Sequence, residues 1–195
     1  MAQKIAFDID GVVLDLVSAF CAVCRQEGYS LDYEDIIEYH MGKVLGVDDE
    51  EFYRLLDLTY ESGLIKPYPE AAQGLQTLRE AGWKIWFVTS RPERLRTQTI
   101  AELEAATISY NRLIFADARR KADHVTGVKA VIEDSLEEAQ ELVAKGFQVI
   151  MFRHPWNAAG EGRYSRVSWI GRWSELVAAV LSLATTLHPV RNKAG

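Results

Sequence analysis

Cysteine is scarce in this chain: only Cys21 and Cys24 occur among 195 residues, spaced C-x-x-C. On a helix the pair shares a face, and Phe20 and Val23 beside it point to helix core rather than a reactive turn. A zinc site needs two more ligands, and the four histidines are scattered. Free thiols suit a cytoplasmic setting. Positive charge is also short, with 22 Lys and Arg against 28 Asp and Glu, a formal charge of -6. That balance argues against the basic footprint of a protein that binds a nucleic acid polymer. Small anionic substrates remain open, provided a metal and local Lys or Arg offset the field. Long apolar runs are missing too. The most apolar late stretch, 176–187, is too short to span a bilayer and contains Ser182, Thr185 and Thr186. The first residues carry aspartates where a signal peptide needs an apolar segment, so no secretion signal is expected.

With 48% hydrophobic and 26% charged residues, the chain is able to bury the core of one domain, with room for a small inserted one. Its organising stretch is Lys4-Ile5-Ala6-Phe7-Asp8-Ile9-Asp10-Gly11-Val12-Val13. The apolar run reads as a buried strand, yet it ends in two carboxylates and a glycine. In an extended segment Asp8 and Asp10 point the same way, and like charges so close call for something positive between them. A divalent cation bound by hard oxygens fits, and Gly11 lets the backbone turn away from it. The competing reading is a pair of aspartates that merely cap a turn.

From 14 to about 66 the chain reads as several helices, Leu16–Gln26, 33–39 and 48–60, broken at Gly28, Gly46 and Gly63. The aromatics of this block (Phe20, Tyr29, Tyr33, Tyr39, Phe52, Tyr53, Tyr60) should mostly pack between the helices, with one or two facing a pocket. Pro69 is suited to opening the next helix, which places Leu75 and Leu78 on one face and stops at Gly82. A second buried strand follows, ending in Thr89 and Ser90. Hydroxyls at a helix start bind phosphate oxygens, although Ser90 with Glu93 also reads as a capping box. The helix after it shows Leu95, Ile100 and Leu103 inward and leads to a strand, Arg112–Phe115. Arg119, Arg120 and Lys121 then form a charge cluster, ordinarily a solvated face, from which a lysine could also reach phosphoryl oxygens. A further strand, 129–132, runs into Glu133 and Asp134, while Ser135 and Glu138 form a capping box. The helix from Leu136 closes at Gly146 and strand 147–152 follows. The end of the chain, 188–195, should fray.

Strands alternating with helices predict an α/β fold, a doubly wound parallel sheet with ligands at the carboxyl ends of its strands. Asp8, Asp10, Thr89 and Asp134 all stand at such ends. Their convergence on one edge is the argument.

In order, Asp8-x-Asp10-Gly11, the strand ending in Thr89, a downstream lysine and Glu133-Asp134 resemble the four motifs of haloacid dehalogenase-like (HAD) phosphohydrolases. Val88-Thr89-Ser90-Arg91-Pro92, the strand into Arg153-His154-Pro155-Trp156-Asn157, and Val167-Ser168-Trp169 are similar to the 5'(3')-deoxyribonucleotidase branch. The resemblance implies a Rossmann-like core over 1–15 and 67–195 with a small helical cap, 16–66, inserted after the first strand. It implies Asp8 as a nucleophile forming an aspartyl-phosphate, and Asp10 as the acid for the leaving oxygen and then the base for water. Magnesium would be held by Asp8, the Asp10 carbonyl and Asp134, with Glu133 direct or through water. Thr89 and Lys121, with Ser90 beside them, would hold phosphoryl oxygens, with Lys129 the competitor for Lys121. Trp156 reads as structural support at the sheet edge.

The chemistry agrees with these roles. Two nearby carboxylates in different environments take different duties, and a leaving-group acid favours phosphomonoester hydrolysis over dehalogenation. The implied enzyme is a magnesium-dependent phosphatase, a 5'-nucleotidase on (deoxy)nucleoside monophosphates, or else a phosphatase for a sugar phosphate or another small phosphoester. A non-enzymatic, receiver-like phospho-accepting domain is the alternative of another class. The sequence leaves the oligomeric state open.

Overall fold

The computed structural model describes residues 2–185, so the expected fraying of 188–195 lies outside the described residues. Six strands form one sheet in the order β3-β2-β1-β4-β5-β6. They are β1 (Lys4–Phe7), β2 (Lys84–Thr89), β3 (Arg112–Phe115), β4 (Val131–Glu133), β5 (Val149–Phe152) and β6 (Val167–Ile170), and every pairing is parallel. The doubly wound α/β expectation therefore holds.

Alternation along each strand divides the core between two faces. Ile5, Phe7, Ile85, Phe87, Ile132 and Ile150 join one cluster, which α4 (Ala71–Glu80), α5 (Arg96–Ala105) and α7 (Trp173–Thr185) cover with Leu75, Leu78, Leu103, Trp173 and Leu176. Ala6, Val88, Val131, Val149 and Met151 join the other, covered by Ala139 and Leu142 of α6 (Leu136–Ala144). Both faces of the central strands are apolar because both are buried, as parallel sheets require.

Between β1 and β2 stand α1 (Leu16–Gln26), α2 (Met41–Leu45) and α3 (Asp49–Glu61). They share a separate cluster of Val17, Phe20, Cys21, Cys24, Leu31, Ile36, Met41, Phe52 and Leu55. The two cysteines are free and buried there. Backbone bonds tie the stem of this insertion together, from Asp15 N to Lys66 O at 2.8 Å and from Tyr68 N to Val13 O at 2.9 Å.

Several local expectations are corrected. The helix anticipated over 33–39 is a single 3-10 turn, Tyr33–Asp35: the Asp35 carboxylate caps its start at Asp32 N, and the chain leaves helical geometry at Ile36 (φ -76°, ψ 80°), whose side chain is buried in the cluster of this segment. Residues 36–40 run on as a loop. Ile100 is only half-buried, and the inward face of α5 carries Thr99 with Leu103. Pro69 stands just before α4, whose N-cap Glu70 has φ 67°. Ser90 caps no helix: the next turn begins at Glu93 after Pro92, and Glu93 pairs with Arg96. Ser135 does cap α6, but Glu138 bonds to Arg119 N at 2.5 Å rather than returning to Ser135.

Candidate active site

The sheet order reverses between β1 and β4, where doubly wound folds leave a crevice at the carboxyl ends of the strands. Asp8 N donates to Ile132 O at 2.9 Å, so the ends of β1 and β4 lie side by side there. Asp8, Glu133 and Asp134 are all buried, and a carboxylate oxygen from each lies within 4.8 Å of the others. Lys121, 2% exposed, inserts its ammonium between Asp8 Oδ1 at 2.8 Å and Glu133 Oε1 at 2.7 Å. Lys129, its sequence competitor, is exposed and absent from the cavity.

Three buried carboxylates against one ammonium leave an excess of negative charge. Burial raises the pKa of Asp8, raises that of Asp134 well above the carboxylate range, and pushes Glu133 up to about 8 despite Lys121. Burial opposes the Lys121 charge, yet Asp8 and Glu133 outweigh it and raise its pKa. Asp134 Oδ1 and Glu133 Oε2 are buried without a hydrogen-bond partner. Orphaned carboxylate oxygens in a group this compact suit a hard divalent cation. Asp134 fits it best, since Trp156 Nε1 donates to its other oxygen at 3.1 Å and Asn157 Nδ2 donates to its carbonyl at 2.8 Å. Gly11 is required beside it: at φ 78°, a Cβ there would fall 2.1 Å from Asp134 Oδ2.

Asp10 finds a positive partner in Arg91, which donates to the two oxygens of its carboxylate at 2.8 and 2.7 Å. Thr89 is buried, and its Oγ1 accepts from Arg91 N at 3.1 Å, which leaves the hydroxyl proton to be donated elsewhere. Ser90 is exposed on the cavity lining.

A cavity of about 180 Å³ opens above these groups. Its floor includes Asp8, Asp10, Thr89, Ser90, Lys121 and Asp134, and its roof includes Leu16, Val17, Ile36, Met41, Phe52 and Leu56. Tyr39 and Tyr60 also line it. Burial and the surrounding acids, Asp134 foremost, raise the Tyr39 pKa, although 55% of that residue is exposed.

Three participants were missed in the sequence. Arg91 lay unremarked in a quoted motif. Trp156 is a cavity wall and hydrogen-bond donor as well as a packing group. His154 bridges insertion and core: its Nε2–H donates to Gly11 O at 2.6 Å, and its Nδ1 accepts from the Tyr33 hydroxyl at 2.6 Å. Burial lowers its pKa to about 4, so the ring is a neutral strut. Only an apolar strand running into His-Pro-Trp-Asn hinted at these last two.

Known proteins are similar to this chain in sequence and in fold. Two relatives are each 24% identical: "Putative nucleotidase YqfW" of Bacillus subtilis, covering 89% of this chain and 91% of that protein, and "Putative nucleotidase BH1399" of Halalkalibacterium halodurans, covering 91% and 92%. Among solved structures, a HAD family hydrolase from Deinococcus radiodurans with bound phosphate and sodium superimposes with a TM-score of 0.66, at 19% identity over 94% of this chain and 96% of that one. The family model for "HAD superfamily, subfamily IIIB (Acid phosphatase)" matches residues 2–153, and the chain belongs to that family of phosphomonoesterases.

Proposed function

We propose that this phosphatase is a magnesium-dependent 5'-nucleotidase that works through an aspartyl-phosphate on Asp8, with residues 16–66 as the cap over a core of 1–15 and 67–195. The observation that carries the reading is the placement of Asp8 against the Lys121 ammonium and in one carboxylate cluster with Glu133 and Asp134, each of which has a buried oxygen without a partner, beneath an apolar roof. Asp8 Oδ attacks phosphorus, and the bond from phosphorus to the leaving oxygen breaks. The electron pair stays on that oxygen, which takes a proton from Asp10. Water then attacks the aspartyl-phosphate and gives a proton to Asp10, and phosphate leaves as Asp8 regains its carboxylate. Lys121 and Thr89, with Ser90 at the rim, hold phosphoryl oxygens by charge-assisted and hydroxyl bonds. Asp8, Asp134, the Asp10 carbonyl and Glu133 would hold magnesium, which when bound neutralises phosphoryl charge.

The roof selects the substrate. A sugar phosphate would bury hydroxyls against Ile36, Met41, Phe52 and Leu56, which offer no partners. A nucleobase presents a flat face to the same surface, so nucleoside monophosphates are favoured. The two nucleotidase-named relatives and the likeness of Thr89-Ser90-Arg91-Pro92 to the deoxyribonucleotidase branch support this choice. Two buried free thiols suit a cytoplasmic enzyme. Phosphate release from deoxynucleoside, ribonucleoside and sugar monophosphates, with magnesium and with chelator, tests the reading. Equal turnover of sugar phosphates removes the nucleotide, and undiminished turnover in chelator removes the metal.

A further inference from the structure

Arg91 follows the two hydroxyl residues after β2 and has no part in the steps above. Its side chain is 1% exposed and meets two acids: it holds Asp10 through Nε and Nη2, while Nη1 donates to Glu102 at 2.6 Å and to Thr99 Oγ1 at 3.1 Å. Tyr60 of α3 sets its ring 5.1 Å from the guanidinium. One buried cation thus touches Asp10, helix α5 and the insertion.

A carboxylate gripped by a guanidinium through both oxygens accepts on each and is held turned toward the cation rather than toward a substrate. Asp10 must therefore release at least one of these bonds before it can serve a leaving group. Release would strand a buried cation unless another counter-charge stayed behind. Glu102 is that counter-charge.

We propose that Arg91 and Glu102 form a latch on Asp10: Arg91 parks the carboxylate, and Glu102 keeps Arg91 neutralised while Asp10 turns to the leaving oxygen. Both are positioning residues. The inference rests on Asp10 acting as the general acid. In that step Asp10, once clear of Arg91, takes a proton from solvent water; the phosphorus–oxygen bond breaks with its electron pair moving to the leaving oxygen, that proton joins the leaving oxygen, and Asp10 recovers a proton from the hydrolytic water, which it returns to solvent when Arg91 parks the carboxylate again.

Two aryl phosphates of similar size report the latch. p-Nitrophenolate departs without a proton, whereas p-methylphenolate needs one, and kcat/KM covers the steps through departure. Glu102→Gln removes the substitute counter-charge and tightens the grip on Asp10. It should lower kcat/KM for p-methylphenyl phosphate by about tenfold more than for p-nitrophenyl phosphate, within the usual range of acid catalysis. Arg91→Lys keeps the buried charge but offers one hydrogen bond in place of two, and should shift the ratio the opposite way. A merely structural role would depress both substrates equally in both variants. Equal losses in Glu102→Gln overturn the proposal, and so does an unmoved ratio in Arg91→Lys, which decides the matter should thermal melting show Glu102→Gln unfolded. Asp10→Asn separates the two levels: selective loss on p-methylphenyl phosphate keeps Asp10 as the acid whatever becomes of the latch, and no selectivity there removes the acid assignment itself.

Discussion

The floor and the roof of the cavity are built on opposite principles. The floor gathers Asp8, Lys121, Glu133 and Asp134, ionisable groups from the ends of β1 and β4 and the loop before β4, all buried and in close electrostatic contact. The roof comes from the insertion and offers mainly apolar side chains. Buried charges demand partners at fixed distances, so the floor tolerates little change. An apolar surface is non-directional, so the roof is free to vary the substrate without touching the chemistry.

The sharpest break comes from the floor. Asp8→Asn should reduce turnover by about 10⁴-fold or more, as loss of a nucleophile does, with an unchanged melting temperature; retained phosphate release would reject the nucleophile. Lys121→Met should lower kcat/KM about 10²-fold or more through lost electrostatic stabilisation. It also leaves Glu133 without its cation, so denaturant unfolding should show a loss of about 3–5 kcal/mol. Wild-type stability in that variant would mean the floor is not held by charge.

Between floor and roof stands His154. Its pKa of 6.5 unfolded falls to about 4 in the fold, so the unfolded chain binds more protons between those values. The stabilisation is present above pH 6.5 and is lost as pH falls toward 4. The difference between 6.5 and about 4, at about 1.36 kcal/mol per pH unit, amounts to about 3 kcal/mol. Unfolding followed across that window should show this slope, and His154→Gln should flatten it; the same slope in both would assign it to other groups.

The smallest effect belongs to the roof. Met41→Ala should raise KM for nucleoside monophosphates about tenfold with kcat nearly constant, the pattern of lost uniform binding. A fall in kcat instead would show that roof and floor are not separable.

Much of this was legible beforehand. Period-two alternation and apolar runs located β1 to β5, and the acids at Asp8 and Asp134 stood out because strand hydrophobicity led straight into charge. What stayed hidden depended on distance. Nothing local marks Arg91 as the partner of Asp10, 81 positions earlier, or His154 as a bridge from Tyr33 to Gly11. The 33–39 helix failed for a similar reason, since the chain leaves helical geometry at Ile36, which packs with distant residues such as Phe20, Phe52 and Leu55.

The sequence alone determined five of the six strands, β1 to β5, that both faces of their sheet are buried, and which carboxylates end them, because these follow from short-range periodicity; β6 went unread, its four residues showing no apolar run. Only the tertiary structure decided which charge meets which. It gave Lys121 to Asp8 and Glu133, Arg91 to Asp10, and Trp156 to Asp134. Such pairings are set by where distant segments come to rest in a low-dielectric interior, where each charge must find a partner that no local pattern names.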